Sequence, residues 1–193
     1  MPYFLIIPNL RDMKRIIIIC LISMLCFTTC YRTRARREYK QIMSSTISIP
    51  TNTLIFENGD VIERTIDFTC NYNMLVIIDS TECSYCRVSE LFPVASYIDS
   101  LSRKCNFSFG VLIESPREIS NELKRFISYM NPSFPVIFDT ELQYRQRNMV
   151  PKNPLFHGIF FNDEGTPLFI GIPRPNSKTN DLFINLLKDI ELL

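Results

Sequence analysis

Cys83 and Cys86 enclose Ser84 and Tyr85, directly after the apolar run Met74-Leu75-Val76-Ile77-Ile78. Two thiols at this spacing can cycle between dithiol and disulfide, so the pair can carry two electrons without a dissociable cofactor. The run before them reads as a strand and the residues after them as a helix. The first cysteine then lies at a helix N-terminus, where unpaired N–H groups and the macrodipole favour thiolate. The second lies one turn on, within reach for a disulfide. The plain alternative is a permanent disulfide that staples the start of the helix. The same spacing is also half of a zinc site. A structural zinc wants four ligands, and Cys70, Cys105 and the lone histidine, His157, are isolated from the pair in sequence, so no metal is expected.

The elements that must position the pair follow from hydrophobic patterning. Residues 53–56 and 61–66 read as strands around Glu57-Asn58-Gly59-Asp60, where Asn-Gly is a strong hairpin signal. A buried strand is expected at 74–79 and a helix at about 84–103, with Val88, Leu91, Ala95, Ile98 and Leu101 inward and a kink at Pro93. A second strand follows at 107–113. Ser115-Pro116-Arg117-Glu118 reads as a capping box opening a helix that ends at Asn131-Pro132. A third strand is expected at 134–138, a short helical piece at 141–148, a hairpin from 155–161 and 167–170 around Asn162-Asp163-Glu164-Gly165, and a last helix at 177–192. This order makes an α/β fold: a central mixed β-sheet flanked by helices, with an N-terminal β-hairpin extension over 46–69.

The N-terminus carries an export pattern. Lys14-Arg15 precede an apolar stretch from Ile16 to Phe27, and Thr28-Thr29-Cys30 follow. Residues 16–30 fall short of the roughly 20 that a bilayer span requires. Phe27-Thr28-Thr29-Cys30 is similar to a loose bacterial lipobox, which implies lipidation at Cys30 and a lipid anchor in the membrane. Met13 is the expected true start, because Met13-Lys14-Arg15 is the usual opening of such a signal. Residues 1–30 are thus expected as the export segment, 31–45 as a linker and 46–193 as the globular domain. Arg32, Arg34, Arg36, Arg37 and Lys40 are expected to be a solvated tether rather than a lipid-binding patch.

Composition bounds the rest. The 21 basic and 20 acidic residues nearly cancel, which argues against nucleic acid as a partner, and 46% hydrophobic content suits a domain with a real core. No Gly-rich phosphate loop or serine nucleophile elbow is present. A peroxidase site would want threonine three residues ahead of the reactive cysteine, where this chain has Ser80.

The cysteine pair after the first core strand, the helix that follows and the hairpin ending in Asn162-Asp163-Glu164-Gly165 resemble the thioredoxin-like fold. The likeness is strongest to exported, TlpA-type thiol–disulfide oxidoreductases and related lipoproteins, and covers roughly residues 60–193. It implies a three-layer sandwich, Cys83 as nucleophile, Cys86 as resolving thiol, protein thiol or disulfide clients, no cofactor and a monomer in the cell envelope, facing the periplasm. The chain departs from the pattern at the site. Glu82 stands where the family has tryptophan, and the chain has no Trp at all; Tyr85 stands where it has proline. A carboxylate beside Cys83 opposes thiolate, and Arg87 can offset it. The family's cis-proline corresponds by counting back from Gly165 to Phe156, and the proline available nearby is Pro154. Glu82, Tyr85, Pro154 and Phe156 are therefore the candidates for the substrate groove.

Three further features stay open. Cys70 and Cys105 precede adjacent strands at the end of the sheet away from the pair, and could form a structural disulfide or stay two buried thiols. Asp79 is either a proton acceptor for the resolving thiol or a carboxylate that bonds nearby N–H groups. His157 either approaches the cysteines or is a partly exposed strand residue. Two functions follow: a thiol–disulfide oxidoreductase, or a thioredoxin-like binding module with weak turnover.

Overall fold

The computed structural model describes Ile19 and residues 32–50, 52–57, 60–66, 68–81, 84–116 and 118–193. The chain divides into two compact units, Met1–Glu38 and Tyr39–Leu193. In the first, residues 32–38 are helical and Arg34 Nε lies 3.7 Å from Glu38 Oε1. Among the described residues no helix is long and apolar enough to cross a membrane. The export segment, Met13 and Cys30 lie outside the described residues.

Among the described residues the second unit holds, after helical residues 39–43, seven strands and four further helices: β1 (Asn52–Glu57), β2 (Asp60–Thr65), β3 (Tyr72–Ile78), α1 (Ser84–Cys105), β4 (Ser108–Glu114), α2 (Asn121–Met130), β5 (Val136–Asp139), α3 (Gln143–Arg147), β6 (Gly158–Asn162), β7 (Pro167–Ile170) and α4 (Lys178–Asp189). The strands form one mixed sheet in the order β2-β1-β5-β4-β3-β6-β7. β3, β4 and β5 are parallel neighbours, while β6 and β7 add antiparallel on one side and the β1–β2 hairpin on the other. The hairpin is thus an extension of the same sheet: Leu54, Ile55 and Phe56 pair with Phe138, Ile137 and Val136.

Alternation along the strands splits the core in two. Met74, Val76, Ile78, Val111 and Ile113 face α1, α2 and α4, whose Val88, Leu91, Ile98, Leu123, Ile127, Phe183 and Leu187 complete that layer. Two successive right-handed crossovers in one direction place α1 and α2 on the same face. Leu75, Ile77, Leu112 and Ile137 face the other way, toward Ile42, Ile47 and Tyr144.

Ile42 corrects the expected linker. Residues 39–43 are helical, and Ile42 is fully buried, because the second face of the sheet would otherwise lie open beside short α3. Ile47 N–H then donates to Gly165 O at 2.8 Å, and a Cβ on Gly165 would fall 2.4 Å from Ile47 O. Gly165 also has φ of +80°, so glycine suits this turn twice over.

Three boundaries differ from the patterning. α2 starts at Asn121 with Ser120 as N-cap, its hydroxyl accepting from Leu123 N–H at 3.2 Å, rather than at the Ser115 box. Ile119 is buried just ahead of that cap, and residues 118–120 stay non-helical while Ile119 joins the core. β5 begins at Val136 because Pro135 has no N–H to give the ladder. β6 begins at Gly158, since Pro154–Phe156 form a 3₁₀ turn capped by the Asn153 side chain. α1 runs unbroken through Pro93.

Candidate functional site

Glu82 and Cys83 lie outside the described residues, and the site is built from the groups on either side of them. β3 ends at Ile78, Asp79 to Thr81 lead out of the sheet, and α1 opens at Ser84. Cys86 is exposed in the first turn of α1, and the Ser89 hydroxyl donates to its carbonyl at 2.8 Å. The geometry therefore places Cys86 at a strand-to-helix junction at the C-terminal end of parallel strands. Open α/β sheets place their chemistry at that end.

Tyr85 is half exposed and packs edge-on against Phe126 of α2, with ring centroids 4.9 Å apart. Tyr129 is exposed on the same helix, and the two tyrosines border a shallow groove with Phe126, Glu122 and Arg125. The charge on Arg87 is engaged within α1: its Nη1 lies 3.0 Å from Glu90 Oε2. Arg174 reaches the other oxygen of Glu90 at 3.2 Å. Bonds from Arg174 first and Arg87 second hold the Glu90 carboxyl below the usual range.

Asp79, Glu114 and Arg145 make up an ion cluster where β3 and β4 end. Arg145 Nη2 lies 2.7 Å from Asp79 Oδ1 and 2.5 Å from Glu114 Oε2, and its Nε lies 3.1 Å from Glu114 Oε1. Glu114 is fully buried and also accepts from Ser80 N–H at 3.2 Å. Asp79 accepts from Thr81 N–H at 2.8 Å. Desolvation pushes the Asp79 carboxyl up, but the Thr81 bond and the Arg145 charge outweigh it, leaving the pKa lowered. The bond from Glu114 leads in holding Arg145 protonated. The Asp79 carboxylate thus binds nearby N–H groups, the second of its two expected roles.

Glu114 and Arg145 were not legible as site residues from motifs. The available signal was a carboxylate closing the otherwise apolar run Phe109–Ile113, which demands a buried cation nearby. Arg145 comes from α3, which Asp139 anchors by accepting from Gln143 and Tyr144 N–H, each at 2.8 Å.

The remaining candidates separate. Among the described residues no peptide bond is cis, and Pro154 is exposed at the start of the 3₁₀ turn. Phe156 packs with the second core layer and edge-on to Tyr39, at 6.2 Å, on the sheet face opposite α1. His157 is buried rather than partly exposed; one ring nitrogen lies 2.9 Å from Pro151 O. Cys70 and Cys105 are not bonded to each other; both are free thiols. Cys105 packs into the α1 core layer, where burial pushes its thiol up, while Cys70 is half-buried and its N–H donates to Ser108 Oγ at 3.4 Å. Among the described residues no group of acidic, histidine and cysteine side chains could hold a metal ion.

No protein-family profile matches the chain, and no curated protein matches it in sequence. Solved structures do. A domain of a possible thiol–disulfide isomerase from Cytophaga hutchinsonii superimposes with a TM-score of 0.51 at 13% identity, covering 77% of this chain and 95% of that one. A candidate thioredoxin from Neisseria meningitidis gives 0.50 at 16% identity, over 76% and 92% of the two chains. The bacterioferritin comigratory protein of Xanthomonas campestris, studied for alkyl peroxide reduction, gives 0.50 at 8% identity, over 77% and 100%. At these identities the likeness is one of architecture, and it agrees with the sheet order and the strand-to-helix junction described above. The chain has the thioredoxin-like fold.

Proposed function

We propose that the protein is a membrane-anchored thiol–disulfide oxidoreductase of the cell envelope, exchanging disulfides with protein clients through Cys83 and Cys86. The observation that carries this reading is the exposed Cys86 in the first turn of α1, one turn after Cys83 in sequence, at the C-terminal end of β3. In the reducing direction, the Cys83 thiolate attacks one sulfur of a client disulfide. A Cys83–client mixed disulfide forms and one client thiolate leaves. The Cys86 thiolate then attacks Cys83 sulfur, closing the Cys83–Cys86 disulfide and releasing the second client thiolate. Two electrons and the disulfide bond have changed hands, and the reverse sequence oxidises a dithiol. Lipidation at Cys30 would hold the domain at the membrane, in a compartment where disulfides persist. The client groove would run over Tyr85, with Glu82 beside the nucleophile.

A second reading, a binding module with weak turnover, draws support from the aromatic surface of Tyr85, Phe126 and Tyr129, which offers contact area without thiol chemistry. Trapping decides between them. The Cys86→Ser full-length protein should accumulate a mixed disulfide through Cys83 with disulfide-bonded clients. Reversible, dithiothreitol-insensitive association alone would favour the binding module.

A further inference from the structure

We propose that Arg145 is a positioning residue for the cysteine pair, acting through Asp79 and Glu114 on the backbone of Ser80 and Thr81, the residues that lead into Glu82 and Cys83 in sequence. This rests on the redox reading above. When the chain leaves β3 after Ile78, its next N–H groups leave the sheet ladder and need acceptors. Glu114 Oε2 takes Ser80 N–H at 3.2 Å, and Asp79 Oδ1 takes Thr81 N–H at 2.8 Å. Both acceptors are carboxylates, and both are engaged by one guanidinium.

The cost of that arrangement indicates what it is for. Glu114 is fully buried, and a buried carboxylate persists only when paired. A buried ion pair roughly breaks even against apolar packing, so net stability alone gives little reason to keep one. What the charges supply is geometry. The two-point contact of Arg145 Nε and Nη2 on Glu114 fixes the carboxylate plane, and with it the oxygen that receives Ser80. Arg145 is itself fixed, because α3 is held by the Asp139 carboxylate and by fully buried Tyr144. The chain of restraint thus runs from β5 through α3 to Arg145, then through Asp79 and Glu114 to the backbone two residues before Glu82 and Cys83. The titratable groups paired with the guanidinium are Asp79 on β3's exit and Glu114 on β4.

The test uses full-length Arg145→Met and Arg145→Lys proteins. It reads client-disulfide reduction, the pH profile of Cys83 alkylation followed by peptide mass spectrometry, and amide exchange at Ser80 and Thr81. In Arg145→Met, exchange at both amides should rise, the alkylation profile should shift, and disulfide reduction should fall on the order of ten- to a hundred-fold, the usual effect of misplacing a reacting group by about 1 Å. Arg145→Lys keeps the charge without the fork and should recover part of each. A folded Arg145→Met protein with wild-type Cys83 alkylation overturns the proposal, including when amide exchange has risen, since Arg145 would then only stabilise the fold. Should Arg145→Met fail to fold, Asp79→Ala removes the Thr81 acceptor and is held to the same criteria. If wild type reduces disulfides no faster than Cys83→Ser, the redox reading fails. Cys83 alkylation and amide exchange still decide the positioning claim separately.

Discussion

Arg145 and Glu114 meet in a two-point contact, Nε to Oε1 at 3.1 Å and Nη2 to Oε2 at 2.5 Å, with the carboxylate fully buried and the guanidinium partly open to solvent. Deleting one partner strands the other. Removing a partner from a buried pair costs about 3–5 kcal/mol and from an exposed one about 0–1 kcal/mol, so Arg145→Met should cost roughly 2–3 kcal/mol after discounting for solvent at Arg145. Urea unfolding of Arg145→Met, Glu114→Gln and the double variant checks this. The double variant should be more stable than the sum of the singles by more than about 0.5 kcal/mol, the usual scatter of additivity for independent sites.

Acid stability should depend on Asp79. Its folded pKa lies below the unfolded value, so its contribution is fully present above the ordinary aspartate range, roughly pH 4. The contribution is lost as pH falls through the folded value. Thermal unfolding between pH 7 and pH 3 should therefore show a smaller loss of stability for Asp79→Asn than for wild type. Parallel curves would remove Asp79 from the balance.

Ile42 distinguishes a core element from a tether. It is fully buried against the sheet face carrying Leu75, Ile77, Leu112 and Ile137. Ile42→Ala should cost about 2–5 kcal/mol in denaturant unfolding, as for other buried aliphatic truncations. A change within about 0.5 kcal/mol, as for an exposed site, would return residues 39–45 to the linker expected from sequence.

Much of the fold was legible in the sequence because periodicity reports burial. The continuous apolar runs at 74–78 and 109–113 marked the central parallel strands, and Asn58-Gly59 marked the hairpin that lies between β1 and β2. Patterning failed where one residue's tertiary contact overrode local preference. Ser115-Pro116-Arg117-Glu118 has the chemistry of a helix start, yet burial of Ile119 moved the start to the Ser120 cap. Residues 39–45 looked like part of a tether because of the arginines that precede them, and a single isoleucine, Ile42, reveals their packing. The cysteine pair was legible as a motif, whereas Arg145 was not. Its partners sit 31 and 66 residues away in sequence, and no local spacing rule connects them.

The two remaining described thiols should behave differently from Cys86. Cys105 is buried with its thiol pushed up by desolvation, so it should resist iodoacetamide in the native protein and react only on unfolding. Cys70, half-buried, should label slowly, and peptide mapping without reductant should find no Cys70–Cys105 bridge. Recovery of that bridge would require a rearrangement of the segments before β3 and β4.

Thiol exchange through Cys83 and Cys86 is tested most directly by the rate at which the full-length protein, with dithiothreitol as electron donor, reduces a disulfide-bonded protein substrate, measured beside Cys83→Ser. Wild type should exceed the variant by at least an order of magnitude, the variant falling to the rate of dithiothreitol alone, because the proposed exchange begins with attack of the Cys83 thiolate on the client disulfide. Equal rates for the two proteins would contradict redox function and leave a thioredoxin-like fold used for binding.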